Sequence, residues 1–377
     1  MLPAMSRPEI ALLLSTYERP NHLRRALQSI ALQRDVEGKM ELVVTDDGST
    51  DETPRIVEEF ARDVPFRVGF TTHPHTTFRL SRCRNEGVRA SEADYLLFLD
   101  GDCVLPPDHV RTHLERRKPR HVMAGDFCRL DEPTSERVTA EVIRGGQYQD
   151  WAPASELRRL RKQDRAARFY RLIRHPRKPK LFGNNVGIWR SDFERINGYD
   201  ENFEGWGCED DDLRCRLHAA GVRIESILRW THTYHLWHPT DSTAPATWKQ
   251  GKNVGYLLRP GRLTRCRNGL TKRELSDLAV RVVGHAAKPR EVAQLVQDRF
   301  GAVATDTPEV EILFLPGQGE FSGRAQCNVL VALEPQEISH RLRRVAHVMI
   351  TPGSEGPVET AARITPQLFE QALADVA

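Results

Sequence analysis

Carboxylates and imidazoles are grouped in this sequence at spacings that suit metal and acid–base chemistry. Asp100-Gly101-Asp102 closes the apolar run YLLFL. Two acids one residue apart at a strand end can jointly address a divalent cation and a diphosphate, because hard cations such as Mg²⁺ and Mn²⁺ take oxygen ligands. A plain Asp/Gly turn has the same composition; the place directly after an apolar strand favours the functional reading. Further on, HTYHLWHP brings His232, His235 and His238 within seven positions. Neutral imidazole ligates Mn²⁺ and other transition ions, although a single histidine is more often a packing residue. His235 and His238 form the better pair, since Trp237 and Pro239 suggest an ordered turn around them.

A third group is FEGWGCEDDDLR, in which Glu209, Asp210, Asp211 and Asp212 are consecutive. Transfer of a group to a hydroxyl needs a base near the attacking oxygen. A carboxylate at a helix N-terminus is favoured by the helix dipole and stays ionised. Gly205 and Gly207 permit tight turns around Trp206, whose indole can then serve as an apolar platform for a sugar face. The competing reading is a solvated acidic helix start, which suits Asp211 and Asp212. A fourth group, TDDGSTDE at Thr45–Glu52, follows an apolar strand. It reads as an Asx-type turn capped by Ser49 or Thr50, in which a carboxylate could also accept an N–H from a nucleotide base.

The elements that carry these groups alternate. IALLLS (10–15), MELVVTDD (40–47), FRVGFTTH (66–73) and DYLLFLDGD (94–102) read as strands, and HLRRALQSIALQ (22–33), ETPRIVEEFARD (52–63) and RLSRCRNEGVRAS (79–91) as helices. Alternation of this kind predicts an α/β fold with a mostly parallel sheet and helices on both faces. Ligands bind at the carboxyl ends of such strands, which here carry Ser15-Thr16-Tyr17, Asp46-Asp47-Gly48-Ser49 and Asp100-Gly101-Asp102.

The chain of 377 residues, 39% apolar and 28% charged, can bury a core and suggests two domains. No apolar run approaches the ~20 residues of a membrane span, and the N-terminus lacks a signal-like segment, so a cytoplasmic location is expected. The seven cysteines are scattered without a CxxC pair, which argues against a disulfide framework or structural zinc. A net charge of +3 does not by itself point to nucleic acid.

Charge is uneven, however. Residues 150–180 hold Arg158, Arg159, Arg161, Lys162, Arg165, Arg168, Arg171, Arg174, Arg177, Lys178 and Lys180, interleaved with Leu157, Leu160, Phe169, Tyr170, Leu172 and Ile173. Such a segment is either a solvated helix packed by a narrow apolar stripe or a surface for an anionic membrane or acceptor. From about residue 262 the texture changes: TKRELSDLAVRVVG, KPREVAQLVQDRFG, PQEISHRLRRVA and TPQLFEQALADVA read as helices, and VEILFLPG, CNVLVALE and HVMITPG as strands. Residues 1–260 are expected to form the chemical domain, with the 150–180 helical segment inside it, and 261–377 a small α/β accessory domain without a chemical constellation.

STYERP, VVTDDGSTDET, RCRNEG, YLLFLDGD, GNNVGIWRSDFERINGYDENFEGWGCEDDDLRCRLHAAG and YHLWHP occur in that order over roughly residues 8–240. Together they resemble the family 2 glycosyltransferases of GT-A fold, with a Gly-Trp-Gly-x-Glu-Asp stretch similar to chondroitin-polymerase-type and β-1,4-galactosyltransferase-like domains. The resemblance implies inverting, metal-dependent transfer from a UDP-sugar to a hydroxyl acceptor. The basic segment points to a glycan or lipid-linked acceptor, as in polysaccharide or lipopolysaccharide biosynthesis, and to a peripheral place at the inner face of the membrane as the alternative to a purely cytoplasmic one. The resemblance also implies that Thr16, Tyr17 and Glu18 border the nucleotide, that Asp46 contacts the uracil beside Asp47, and that Arg84 and Asn85 close over the nucleotide. Asp100 would face the ribose across Gly101, and Asp102, with His235 or His238, would bind Mn²⁺ or Mg²⁺. Asp210 matches the base, Glu209 and the Asn184-Asn185 pair the acceptor side, and Trp206, between Gly205 and Gly207, the sugar platform. Cys208 stands where relatives often have Gly, and Glu18 where many have Asn. The competing functions are a non-catalytic sugar-nucleotide or glycan-binding module of the same fold, and a nucleotidyltransferase. The latter would place a Gly-rich phosphate loop near the first strand, and LLLSTYERP has no glycine.

Overall fold

The computed structural model describes residues 7–175, 178–240, 244–259, 261–283, 285–286, 307–332 and 337–350. The chain divides into two compact units, Met1–Asn253 and Val254–Ala377.

In the first unit, β1 (Ile10–Thr16), β2 (Met40–Asp46), β3 (Val68–Thr72) and β4 (Tyr95–Asp100) alternate with α1 (Pro20–Ala31), α2 (Thr53–Asp63) and α3 (Leu80–Ala90). Prolines at the starts of α1 and α2 suit the first helical turn, where an N–H would lack a partner anyway. The chain continues through β5 (Cys103–Val104), α4 (His109–Arg116), β6 (His121–Ala124) and β7 (Phe127–Arg129). It then runs through α5 (Glu132–Glu136), α6 (Ala140–Gly145), α7 (Ala154–Leu172), β8 (Asn185–Trp189), α8 (Arg190–Arg195), α9 (Glu209–Ala219), β9 (Arg223–Ser226) and β10 (Thr233–His235).

The seven-stranded sheet has the order β3-β2-β1-β4-β8-β6-β9. Only β8 runs antiparallel, to both β4 and β6. Ile10, Leu12 and Leu14 of β1 join Leu23, Leu27 and Ile30 of α1 and Ile56 and Val57 of α2 in one buried cluster. The i, i+4, i+7 spacing of the α1 residues makes one apolar stripe facing the sheet. On the opposite face α3 approaches so closely that a Cβ on Gly87 would lie 2.8 Å from Thr45 and 3.4 Å from Leu13.

Register places the chemistry. Ser15 pairs with Asp100 across β1 and β4, and Thr16 with Asp46 across β1 and β2, so the carboxyl ends lie level. A small second sheet, β5-β10-β7, pairs His235 with Cys103 and so carries the histidines to Asp102.

The second unit contains a four-stranded parallel sheet of Val280–Val283, Val310–Leu315, Cys327–Ala332 and Val348–Ile350, with a helix at His340–Val345. TKRELSDLAVRVVG is therefore not a helix: it forms a short 3-10 turn at Leu275–Asp277 and then a strand. Its VRVV run is the cause, since β-branched residues fit a pleated, buried surface better than a helix. The helices expected at KPREVAQLVQDRFG and TPQLFEQALADVA, and Arg177 of the basic segment, lie outside the described residues.

Candidate active site

Asp102 is buried just beyond β4 and faces two imidazoles and a guanidinium. Its Oδ2 accepts from Arg19 Nη1 at 3.0 Å and lies 3.1 Å from His238 Nε2; its Oδ1 lies 3.6 Å from His235 Nε2. Burial would push the Asp102 carboxyl up, but His235, His238 and Arg19 hold it well below the usual carboxylate range. Burial lowers His235 despite Asp102; for His238 burial also pulls down, but the hydrogen bond and charge of Asp102 together with the Pro239 carbonyl raise it. One carboxylate oxygen and two imidazole nitrogens lie within 4.8 Å of one another, a donor set for a divalent cation. Its nitrogen content suits Mn²⁺ better than the more oxygen-demanding Mg²⁺. His232 is not part of it. Its ring sits near Arg159 and Asp126 and is lowered by burial and by Arg159.

A second cluster gathers around Asp100, two residues back along the chain. Arg84 is fully buried; its Nη2 donates to Asp100 Oδ1 at 3.3 Å, and its Nη1 donates to Asp210 Oδ1 at 3.0 Å and to Tyr199 Oη at 3.1 Å. The other Asp210 oxygen accepts from Gly183 N at 2.7 Å, and the side chain is 23% exposed. Glu209, its neighbour at the start of α9, is buried and its Oε2 has no hydrogen-bond partner among the described residues. Burial and the charge of Asp210 push Glu209 up to about 8, against the opposing Arg84. Burial likewise pushes Asp100 up to about 6, with Arg84 opposing and Asp102 and Asp210 adding.

The two clusters are joined through Gly101, where a Cβ would lie 2.8 Å from Ser15 O and 3.0 Å from Thr16. Only glycine lets the strand ends approach this closely. Trp206 is 46% exposed on the loop leading to α9. Gly205, Gly207 and Cys208 all have positive φ, 76°, 93° and 78°. Arg79 Nη2 donates to Glu204 at 2.5 Å and Asn253 Nδ2 to Gly207 O at 2.9 Å, which anchor this loop.

The remaining candidates do local work. Asp46 accepts from Gly48 N, Ser49 N, Ser49 Oγ and Thr72 Oγ1 at 2.5–3.2 Å, the Asx-type turn read from the sequence. A nucleotide N–H would be a fifth donor. Asp47 is buried and hydrogen-bonds His73 Nε2 at 2.8 Å and Arg79 N at 3.0 Å. Glu18 accepts from Thr50 N and Oγ1 at 2.8 and 2.9 Å, tying the β1 loop to that turn. Tyr17 stacks on His75 with centroids 4.2 Å apart, and Thr16 Oγ1 is buried without a hydrogen-bond partner among the described residues.

Three sequence expectations require correction. Asn85 does not close over a ligand: it is fully buried, and its amide bonds Tyr199 O, Tyr199 N and Glu201, each at 2.9 Å, to hold the turn before Trp206. Asn185 does not face an acceptor: it lies inside β8 with no exposure, and its Oδ1 accepts from His113 Nε2 at 3.0 Å. Asn184 is also buried and reaches Asp126 at 3.4 Å. Asp212 is no solvated helix acid, because it is wholly buried against Arg216 at 2.6 Å. Burial decides all three, since local composition does not show which side chains the sheet will cover.

Arg19, Tyr199, His73 and His75 escaped sequence reasoning. Arg19 lies within the STYERP motif, so its place was signalled but its partner was not. Asp47, His73 and Cys83 also converge. His73, however, is held between Asp47 and Glu86 at 2.8 and 3.0 Å, and burial pushes the Cys83 thiol far up, so this group is a hydrogen-bonded buttress.

A mostly parallel sheet with helices on both faces and an Asp-x-Asp at the carboxyl end of β4 defines a GT-A domain. Residues 12–170 match the model for glycosyl transferase family 2, and residues 166–239 that for the N-terminal domain of galactosyltransferase. The two models together span residues 12–239. Validoxylamine A glucosyltransferase of Streptomyces hygroscopicus subsp. limoneus is 29% identical over 228 residues, 57% of this chain and 49% of that protein. Chondroitin synthase of Escherichia coli is 24% identical over 272 residues, 66% of this chain and 38% of that protein. The chain thus spans about half or less of the length of these relatives. Among solved structures, a mannosyltransferase from Pyrobaculum calidifontis in complex with GDP-Man and Mn²⁺ is similar with a TM-score of 0.44, 16% identity, and coverage of 68% of this chain and 62% of that one.

Proposed function

We propose that residues 1–260 transfer a sugar from a UDP-sugar to a hydroxyl of a glycan or lipid-linked acceptor, inverting the anomeric carbon. The observation that carries this is the pairing of two clusters through one strand end: Asp102, His235 and His238 on one side, and Glu209 and Asp210 on the other, joined by Arg84 and Asp100.

Asp102, His235 and His238 would hold Mn²⁺ or Mg²⁺, which when bound offsets the negative charge developing on the departing diphosphate. Asp210 accepts the proton of the attacking hydroxyl as its oxygen bonds to the anomeric carbon and the carbon–phosphate oxygen bond breaks, leaving the electron pair on UDP. Arg84, Tyr199 and Gly183 N keep that carboxylate oriented. Glu209 hydrogen-bonds the acceptor, and Trp206 stacks on a sugar face. Thr16, Tyr17 and Glu18 border the nucleotide with Asp46 and Asp47. The 158–180 segment faces an anionic membrane surface that presents the acceptor, and residues 261–377 are an accessory domain. Among the described residues no helix is long and apolar enough to cross a membrane.

The test is UDP release from a panel of UDP-sugars with and without Mn²⁺, in wild type and Asp210→Asn. Metal-dependent release that collapses in the variant is expected. Binding of a UDP-sugar with no release across a broad acceptor panel would instead mark a sugar-nucleotide-binding module. Both oxygens of Asp210 already have hydrogen-bond donors, which is the one observation on the side of that second reading.

A further inference from the structure

Helix α7 does not have the uniform solvated face that its composition first suggests. Arg159 is held structurally: it donates to Asp126 at 2.7 Å, to Phe127 O at 2.5 Å and to Glu156. Arg168 pairs with Asp164 at 3.0 Å and Arg171 with Glu225 at 2.8 Å. Arg161, Arg165 and Arg229, in contrast, have no acidic partner among the described residues, and all three are exposed. Together they line a cavity of about 690 Å³ between α7 and the turn after β9. Its apolar lining comes from Leu157, Leu160, Leu228 and Trp230. The guanidinium of Arg116 lies 4.5 Å over the Trp230 ring.

The same helix ends on three bare apolar side chains: Phe169 is 57% exposed, Leu172 81% and Ile173 51%. Helical spacing sets Arg161, Arg165, Arg168 and Leu172 in one row, and Arg158, Lys162, Arg165 and Phe169 in the next. Cationic rows thus run into an apolar tip. Arginines beside an apolar cavity would suit many anions, but a water-soluble polyanion leaves Phe169, Leu172 and Ile173 without a partner. A bilayer supplies both halves: anionic headgroups for the rows and acyl chains for the tip.

We propose that α7 docks on an anionic lipid bilayer, with a lipid phosphate seated among Arg161, Arg165 and Arg229 and with Phe169, Leu172 and Ile173 entering the acyl boundary. The proposal rests on the membrane-facing reading of the basic segment and goes further by naming the seat and the insertion edge. It does not depend on the transfer chemistry.

Flotation of the intact chain with phosphatidylcholine vesicles, with or without phosphatidylglycerol, tests it. Wild type is expected to float with the anionic vesicles only, and less so at high salt. Arg161→Ala/Arg165→Ala/Arg229→Ala should weaken partitioning about a hundredfold at low salt. Leu172→Ser/Ile173→Ser should keep low-salt capture and lose the salt-resistant part. Brominated phosphatidylglycerol should quench fluorescence, less so in Trp230→Phe. Thermal unfolding matching wild type would show that the variants are folded. Equal capture by neutral vesicles, or no capture of wild type, would overturn both the docking and the membrane-facing reading. Capture that persists in the triple Arg variant but falls in Arg158→Ala/Lys162→Ala would overturn the phosphate seat alone. Absence of UDP release from wild type across the acceptor panel, with capture intact, would count against the glycosyl-transfer reading and leave the docking standing.

Discussion

The guanidinium of Arg84 lies 3.0 Å from the carboxylate of Asp210, although one belongs to α3 and the other to α9. The same guanidinium lies 3.3 Å from Asp100 at the end of β4. A single buried cation therefore holds the carboxylate at the start of α9 and the first acid of the Asp-Gly-Asp turn in one arrangement.

Arg84→Met should be severely destabilising, by about 3–5 kcal/mol, because it leaves buried carboxylates without their cation. Arg84→Lys keeps the charge but not the fork, so it should retain much of the stability while losing most UDP release. Urea unfolding and nucleotide release measured on both variants separate the two effects.

Glu209 gives the fold a pH dependence whose sign is set by burial. Its carboxyl is pushed up to about 8 from 4.5, so the folded chain holds this proton more tightly than the unfolded one. The corresponding stability is fully present below pH 4.5 and is lost as pH rises through about 8. Glu209→Gln should flatten the fall in melting temperature across that window relative to wild type. An unchanged slope would show that Glu209 does not titrate there.

His235 and His238 should behave differently from His232. Mn²⁺ should raise the melting temperature of wild type and of His232→Ala. In His235→Ala and His238→Ala the Mn²⁺ concentration needed should rise by at least the roughly 10–100-fold that loss of a supporting partner costs. Titration of melting temperature against Mn²⁺, without donor, gives this directly.

Cys208 occupies a left-handed conformation at φ 78°, immediately before α9. A non-glycine residue there costs about 1–2 kcal/mol, and the added freedom of glycine in the unfolded chain costs roughly 0.4–1 kcal/mol. Cys208→Gly should therefore stabilise by about 0.5–1 kcal/mol, read as a higher urea midpoint with an unchanged slope.

The alternating strands and helices of the first hundred residues were legible because apolar periodicity is a local property. The acids at the ends of β2 and β4, the Gly-Trp-Gly turn and the histidine run were legible for the same reason. Less legible was the division of labour inside each motif. Asn85 and Asn185 look like site residues in their motifs, yet both are buried structural amides. Asp212 looks like a helix-start acid, yet it is one half of a buried ion pair.

By itself the sequence determined which residue types stand at the strand ends, and in what order, since a strand's length and the turn that follows depend on neighbours along the chain. The sequence also favoured His235 and His238 over His232, but only the tertiary structure shows both meeting Asp102, because the register of β10 on β5 sets that approach. Tertiary structure likewise decided that Arg84 spans Asp100 and Asp210, and that the arginines of α7 split into paired and unpaired sets. These outcomes depend on strand order and burial between distant segments, and local composition does not encode either.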